Sequence, residues 1–317
     1  MASDPFNRPN SSSSSFILVG VPSLEAFPTC LGILFSSSYI IALVGNSVVL
    51  LVIGLDNSLR DPVHCFLGML AVIDVVMVTS IIPKMLSIFC LSSAEIGYTA
   101  CFVQMFLVHS TTSEESGVLL AMAVDRYIAI CHPLRYQAIL NRQTIAQIGL
   151  AIMVRGVLFM VPLTGMVTKL PYCRSRVVPH SYCEHMAVAK LACTDPRPSG
   201  LYSMAGSSLI VGMDVAFIAV SYGMILKTVL GKKSCQKAFS TCGCHICVLL
   251  LYYIPGIVSI YAQHFGSGVS VRAQVLLADL YLILPAMLNP IVYSMRTKQI
   301  HQAVRKMLFQ EGSSLMQ

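Results

Sequence analysis

Seven long apolar runs constrain this chain more than any other feature, at approximately residues 29–55, 65–90, 98–130, 143–166, 200–230, 238–263 and 271–295. A hydrocarbon core about 30 Å thick is crossed by about 20 residues of apolar helix, and each run reaches that length. Composition agrees: 56% of the 317 residues are hydrophobic, 11% are charged, and mean hydropathy is +0.74, which leaves too little polar surface for a soluble globule. The predicted fold is an all-α seven-transmembrane helix bundle. Beyond the last run, "RTKQIHQAVRKMLF" sets Ile300, Val304, Met307 and Leu308 on one stripe, with Arg296, Lys298, Arg305 and Lys306 largely off it. That pattern predicts a short amphipathic helix lying on the membrane lipid. No cysteine follows Cys247 to carry an acyl anchor, so basic residues must hold this helix to anionic lipid. The expected organisation is an N-terminal tail over 1–26, the helical bundle over 27–295, and a cytoplasmic helix and tail over 296–317.

Lysine and arginine set the orientation. Arg60, Arg126, Arg135, Arg142, Lys227, Lys232, Lys233, Lys237, Arg296, Lys298, Arg305 and Lys306 fall at breaks on one side, which is therefore cytoplasmic. The tail before the first run then faces outward. The +7 formal charge raises nucleic acid as a partner, but the basic residues are scattered over short breaks, and no basic face bearing aromatics is present. Residues 1–26 lack the apolar core of a cleavable signal, so the first span is expected to direct insertion. Asn10-Ser11-Ser12 is a glycosylation sequon in that outer tail.

Cys173, Cys183 and Cys193 lie in the long loop after the fourth run, and Cys101 opens the third run on the same outward side. Four cysteines in an oxidising compartment predict two disulfides, for which the sequence alone allows three pairings. Near the inner end of run six, "CGCHIC" has the residue types of a metal site, but neighbours on one helix point in different directions and do not converge on an ion.

The third run carries the ionisable groups. Arg126 follows Cys101 by 25 residues, about 37 Å of helix, which puts one residue at each interface. Glu115 lies about three turns before Arg126 on nearly the same face, and Asp74 adds a second carboxylate from run two. Two acids at this depth call for pairing, hydration or a bound cation such as sodium, or else a shared proton; Asn46 and Asn289 offer neutral oxygens. A hydrated polar network with no specific ion is the alternative.

"MAVDRYIAICHPLRY" (122–136) resembles the third-helix signature of odorant receptors, a branch of the rhodopsin-like G-protein-coupled receptors. "GN" at Gly45 and Asn46, "SY" at Ser221 and Tyr222, "KAFSTCGCHICV" and "LNPIVYSMRTKQI" match the same family in order, over about residues 16–309. The loop "PHSYCEHMAVAKLACTD" is similar to class I, or fish-like, receptors. Two departures stand out: "LRDPVHCF" where the family has a form like LHEPMYYF, and "CGCH" for CGSH. The resemblance implies disulfides Cys101 to Cys183 and Cys173 to Cys193. It also implies a switch of Asp125, Arg126 and Tyr127, supported by Tyr222 and Tyr293, that engages a heterotrimeric stimulatory G protein and so raises cyclic AMP. Trafficking helper proteins are a further implied partner. Pro255 and Pro290 supply places for their helices to bend.

For the ligand, the resemblance implies a small odorant held by the third helix, the second outer loop and the outer end of the sixth helix. His109, His185, Ile260 and His264 occupy those places. Ser203 and Ser207 add hydroxyls, and Met105, Met160, Tyr253 and Ile257 are expected to line the apolar part. Class I relatives favour carboxylic acids and other polar aliphatics. Fatty-acid-responsive relatives often carry arginine where His264 stands, so alcohols, aldehydes and ketones are alternatives here. A related chemosensor for another metabolite outside the nose is the second functional reading. Against a retinal pump, the seventh run has no lysine. Against an enzyme, no catalytic set or phosphate loop is present, and against an amine receptor, His109 stands where that class has a carboxylate.

Overall fold

The computed structural model describes residues 14–21, 28–56, 59, 61–173, 175–230, 235–265 and 268–296, without the side chains of 235–241, 244, 263–265 and 293–296. Asn10, the side chains of His264 and Tyr293, and the expected amphipathic helix after Arg296 lie outside the described residues. In chain order the elements are β1 (Ser15–Leu18), α1 (Pro28–Leu55), α2 (Pro62–Leu91), β2 (Glu95–Gly97), α3 (Tyr98–Cys131), α4 (Tyr136–Ile139), α5 (Arg142–Thr168), β3 (Val177–Val178), α6 (His185–Ala189), α7 (Arg197–Leu230), α8 (Cys235–Phe265) and α9 (Val271–Arg296).

Local chemistry fixes several helix ends. Pro62 opens α2 directly after an extended Asp61, where its missing N–H costs nothing. Asn141 caps α5 by accepting a hydrogen bond from the Thr144 N–H at 3.0 Å. α2 closes on Ser92, whose φ of 53° is the left-handed conformation that stops a helix.

Among the described residues six of the long helices are apolar enough to cross a bilayer on their own, and α3 taken with the bent turn after it makes a seventh. α3 is the exception because of "HSTTSEES" (109–116), in which Ser110, Thr111, Ser113, Glu114, Glu115 and Ser116 are all buried. Its neighbours are α2, α5, α7 and α8, so polar side chains that lipid would reject face protein instead. α7 is the reverse, with Leu201, Leu209, Phe217 and Val220 exposed on the outside of the bundle.

A small sheet caps the outer end, in the order β2-β1-β3. β1 runs antiparallel to β2, pairing Phe16 with Ile96, and parallel to β3, pairing Leu18 with Val178. Phe16 is fully buried against the rings of Tyr98, Phe102 and Tyr172. The expected tail over 1–26 therefore includes the central strand of a cap. "SFIL" is too short for periodicity to mark it, and its partners come from loops far along the chain. Cystines Cys101–Cys183 and Cys173–Cys193, with Cα separations of 5.4 and 5.7 Å, tie the long loop to α3 and to itself.

Candidate functional site

Below the cap a cavity opens between α3, α5, α7, α8 and α9. It holds about 820 Å³ outside protein atoms, part of it open to solvent. α3 contributes His109, Thr112, Ser113 and Ser116, the spacing of one helix face. α7 contributes Ser203 and Ser207 one turn apart, α8 contributes Tyr252, Ser259 and Ile260, and α9 contributes Tyr281. Tyr182 and Glu184 of the long loop form the roof.

Of the residues expected around a ligand, His109, Ser203, Ser207 and Ile260 are on this wall. Five others are not. Met105 is fully buried one turn above His109, packed in the cluster around the Cys101–Cys183 cystine. Met160 and Tyr253 are buried but displaced from the wall by their neighbours Phe159 and Tyr252, since adjacent helical residues differ by about 100° in direction. His185 is buried in the first turn of α6, off the cavity. Ile257 is 37% exposed and lies on the outside of α8.

The roof is electrostatically unusual. Glu184 caps α6, its Oε2 accepting from the Ala187 N–H at 2.6 Å. Burial pushes its pKa up, against the opposing pull of the Met186 and Ala187 amides. His180 packs edge-on against Tyr182 with ring centroids 4.4 Å apart. Burial, with His109 nearby, holds its pKa down at about 3. Ser181 donates to Asp279 of α9 at 2.5 Å, fastening the roof to the bundle.

Beneath the cavity lies a layer that the sequence reading missed. Arg155 of α5 donates through Nη1 to both carboxylate oxygens of Asp214 on α7, at 2.8 and 3.0 Å, and through Nη2 to the Ser113 carbonyl at 2.6 Å. Ser116 donates to Asp214 Oδ2 at 2.6 Å and lies 2.8 Å from the Tyr253 hydroxyl. This layer joins α3, α5, α7 and α8. The signal was present: an arginine and an aspartate each interrupt a long apolar run.

Deeper still, Asp74, Asn46 and Asn289 share a small cavity. Asn289 Nδ2 donates to Asp74 at 3.0 and 3.3 Å, and Asn46 Nδ2 donates to the Ala42 and Ala286 carbonyls at 2.9 and 3.0 Å. Glu115 is buried with Asp74 and Asn289 as polar neighbours, and its Oε1 has no hydrogen-bond partner.

At the cytoplasmic end, Arg126 Nε lies 3.9 Å from Asp125 Oδ2. Asp125 Oδ1 also accepts from the Tyr136 hydroxyl of α4 at 2.7 Å, and burial raises the Tyr136 phenol's pKa. Tyr127 lies 3.2 Å from His132 Nε2, and the Tyr222 hydroxyl lies 2.7 Å from Nδ1 of the buried His245 on α8. His245 belongs to the "CGCHIC" segment, so that histidine binds a tyrosine rather than joining a cysteine cluster. Among the described residues no group of three or more histidines, cysteines or acids is placed to hold a metal.

The olfactory receptor family model matches residues 35–311. Human olfactory receptor 52I2 is 51% identical over 308 residues, covering 96% of this chain and 88% of that protein. Human olfactory receptor 52I1 is also 51% identical, covering 96% of this chain and 95% of its own length. Mouse olfactory receptor 51E2 is 44% identical over 94% of both chains. With seven apolar helices, an outer cavity and an inner acid–arginine pair, this multi-pass plasma-membrane chain belongs to the olfactory receptor family of rhodopsin-like G-protein-coupled receptors and is not an enzyme.

Proposed function

We propose that the chain binds a small polar aliphatic odorant, in the class of carboxylic acids, alcohols, aldehydes and ketones, in the α3-lined cavity and thereby activates a stimulatory G protein, raising cyclic AMP. One observation carries the reading: a single helix, α3, supplies both the polar wall of the cavity and, at its other end, the Asp125–Arg126 pair. Ser116, Asp214 and Tyr253 link α3 to α7 and α8, beside the Tyr252 hydroxyl bonded to the Thr112 carbonyl. A ligand that moves α8 relative to α3 strains these bonds first and then the Tyr222–His245 contact near the mouth. Arg126 would exchange Asp125 for a G-protein partner, a reading supported by its 3.9 Å separation from Asp125 and its partial exposure. Support for the cavity as the binding site is its position toward the outer end of α3 and its mixed lining of hydroxyls and apolar surface. The test is a cyclic-AMP screen in cells with acids, alcohols and aldehydes of graded length, with surface display of the receptor checked. Activity in the parent chain and silence in Arg126→Ala support the reading; an undiminished response in Arg126→Ala would remove the switch.

Asp74, Glu115, Asn46 and Asn289 are proposed to hold a sodium ion or a shared proton. The fit rests on two buried carboxylates and on the partnerless Glu115 Oε1, an oxygen that a small cation would satisfy. Sodium chloride should then raise the melting temperature of the purified receptor above that in choline chloride, and Asp74→Asn should erase the difference. Equal melting in the two salts would leave no ion to place there.

A further inference from the structure

We infer that the cavity selects uncharged ligands with a hydroxyl head group, seated at the step between His109 and Ser113, and disfavours carboxylates. This rests on the odorant-receptor reading and narrows its ligand class.

Most polar groups on the cavity wall already have partners in the protein. Thr112 Oγ1 donates to the Val108 carbonyl at 2.7 Å, and Ser207 Oγ to the Met204 carbonyl at 3.2 Å. Ser116 Oγ is taken by Asp214, and the Tyr252 hydroxyl donates to the Thr112 carbonyl at 2.6 Å. His109 Nε2 and Ser113 Oγ are different: both are buried and neither has a hydrogen-bond partner. Ser113 is 7% exposed, so solvent does not satisfy it. Buried polar atoms are almost always paired, and an unpaired pair on a cavity wall marks where a ligand's polar atom belongs.

The two residues are four apart on α3, so they stand one above the other on a single face, about 6 Å apart along the axis. In the proposed seat one ligand oxygen meets both. A hydroxyl suits the position because it donates and accepts at once: Nε2 takes the role its tautomer requires, and Ser113 takes the other. A carboxylate only accepts, and it would enter a cavity whose roof already carries Glu184. No lysine or arginine is among the described residues of the wall. The guanidinium nearest this level, Arg155, is not on the wall, and its Nη1 and Nη2 are already taken by Asp214 and the Ser113 carbonyl. A buried anion without a cation, beside another acid, is strongly disfavoured.

The test pairs a binding readout with a signalling readout on the full chain in lipid nanodiscs and in cells. Straight-chain alkanols of four to eight carbons and the matching alkanoates are compared by ligand-induced melting shift at neutral pH and by cyclic AMP. The alkanols should bind at least tenfold more tightly than the alkanoates. Ser113→Ala and His109→Phe should each weaken the alkanol about tenfold or more, while Ser113→Thr, which keeps the hydroxyl, should retain it. Alkanoates binding as well as alkanols, or Ser113→Ala leaving alkanol binding unchanged, would overturn the inference, as would the absence of any shift with either series. A melting shift without cyclic AMP would instead sink the G-protein reading and leave this one standing.

Discussion

α3 and α7 cross the same membrane with opposite designs. α3 buries a run of serines with one threonine and two glutamates and packs on four other helices, whereas α7 exposes Leu201, Leu209, Phe217 and Val220 around its outer face. In a lipid solvent a span at the periphery needs an apolar outer face, whereas a span rich in polar side chains is stable only at the axis, where other helices surround it. Function collects on that axis, because a polar group that lipid excludes must find its partner, whether protein or ligand, inside the bundle.

The sharpest way to break the comparison is to remove the acid that α7 sends inward. Asp214→Ala leaves the Arg155 guanidinium without its carboxylate and should destabilise the receptor by about 3–5 kcal/mol in thermal unfolding. Arg155→Met together with Asp214→Leu should recover most of that loss, since no buried charge is then stranded. Next in size is a charge on the lipid face of the same helix. Phe217→Lys should cost about 2.5–3.5 kcal/mol, visible as lost surface display and a lower melting temperature. Ser116→Ala deprives both Asp214 and Tyr253 of a hydrogen bond, and about 2 kcal/mol is the expected loss in the same unfolding assay.

The smallest effect is read with pH and concerns the outer roof. His180 has a folded pKa of about 3 against an unfolded value of 6.5, so the unfolded chain binds the proton first. The stability this contributes is present above about pH 6.5 and is lost as pH falls toward 3. Going from pH 7.5 to 5.5 should therefore cost about 1.4 kcal/mol, and His180→Asn should remove that dependence. Glu184, whose pKa burial raises, acts with the opposite sign, so the comparison is between chains that differ only at position 180.

What was legible in the sequence follows the same physics. Runs of apolar residues announce spans because bilayer thickness sets their length, and the third span is legible despite its serines because "MAVDRY" and Cys101 mark its two ends. The depth of His109 and the one-turn spacing of Ser203 and Ser207 can be counted along a helix, whereas the choice of Ile260 rests on the family resemblance; all four lie on the cavity wall. Ile257 and Tyr253 were misplaced because a count along one helix does not fix which way that helix is turned. The β1 strand and the Arg155–Asp214 pair were missed because their partners are remote in sequence.

The central claim, that the inward face of an apolar helix lines a ligand cavity while its outward face meets lipid, is tested most directly on α7 itself. Single cysteines at positions 203, 207, 209 and 217 would be exposed to a water-soluble thiol reagent from outside intact cells, with and without an activating odorant. Labelling at 203 and 207 that odorant suppresses, with 209 and 217 silent throughout, is the predicted pattern. Labelling at 209 or 217 with 203 and 207 inert would contradict it.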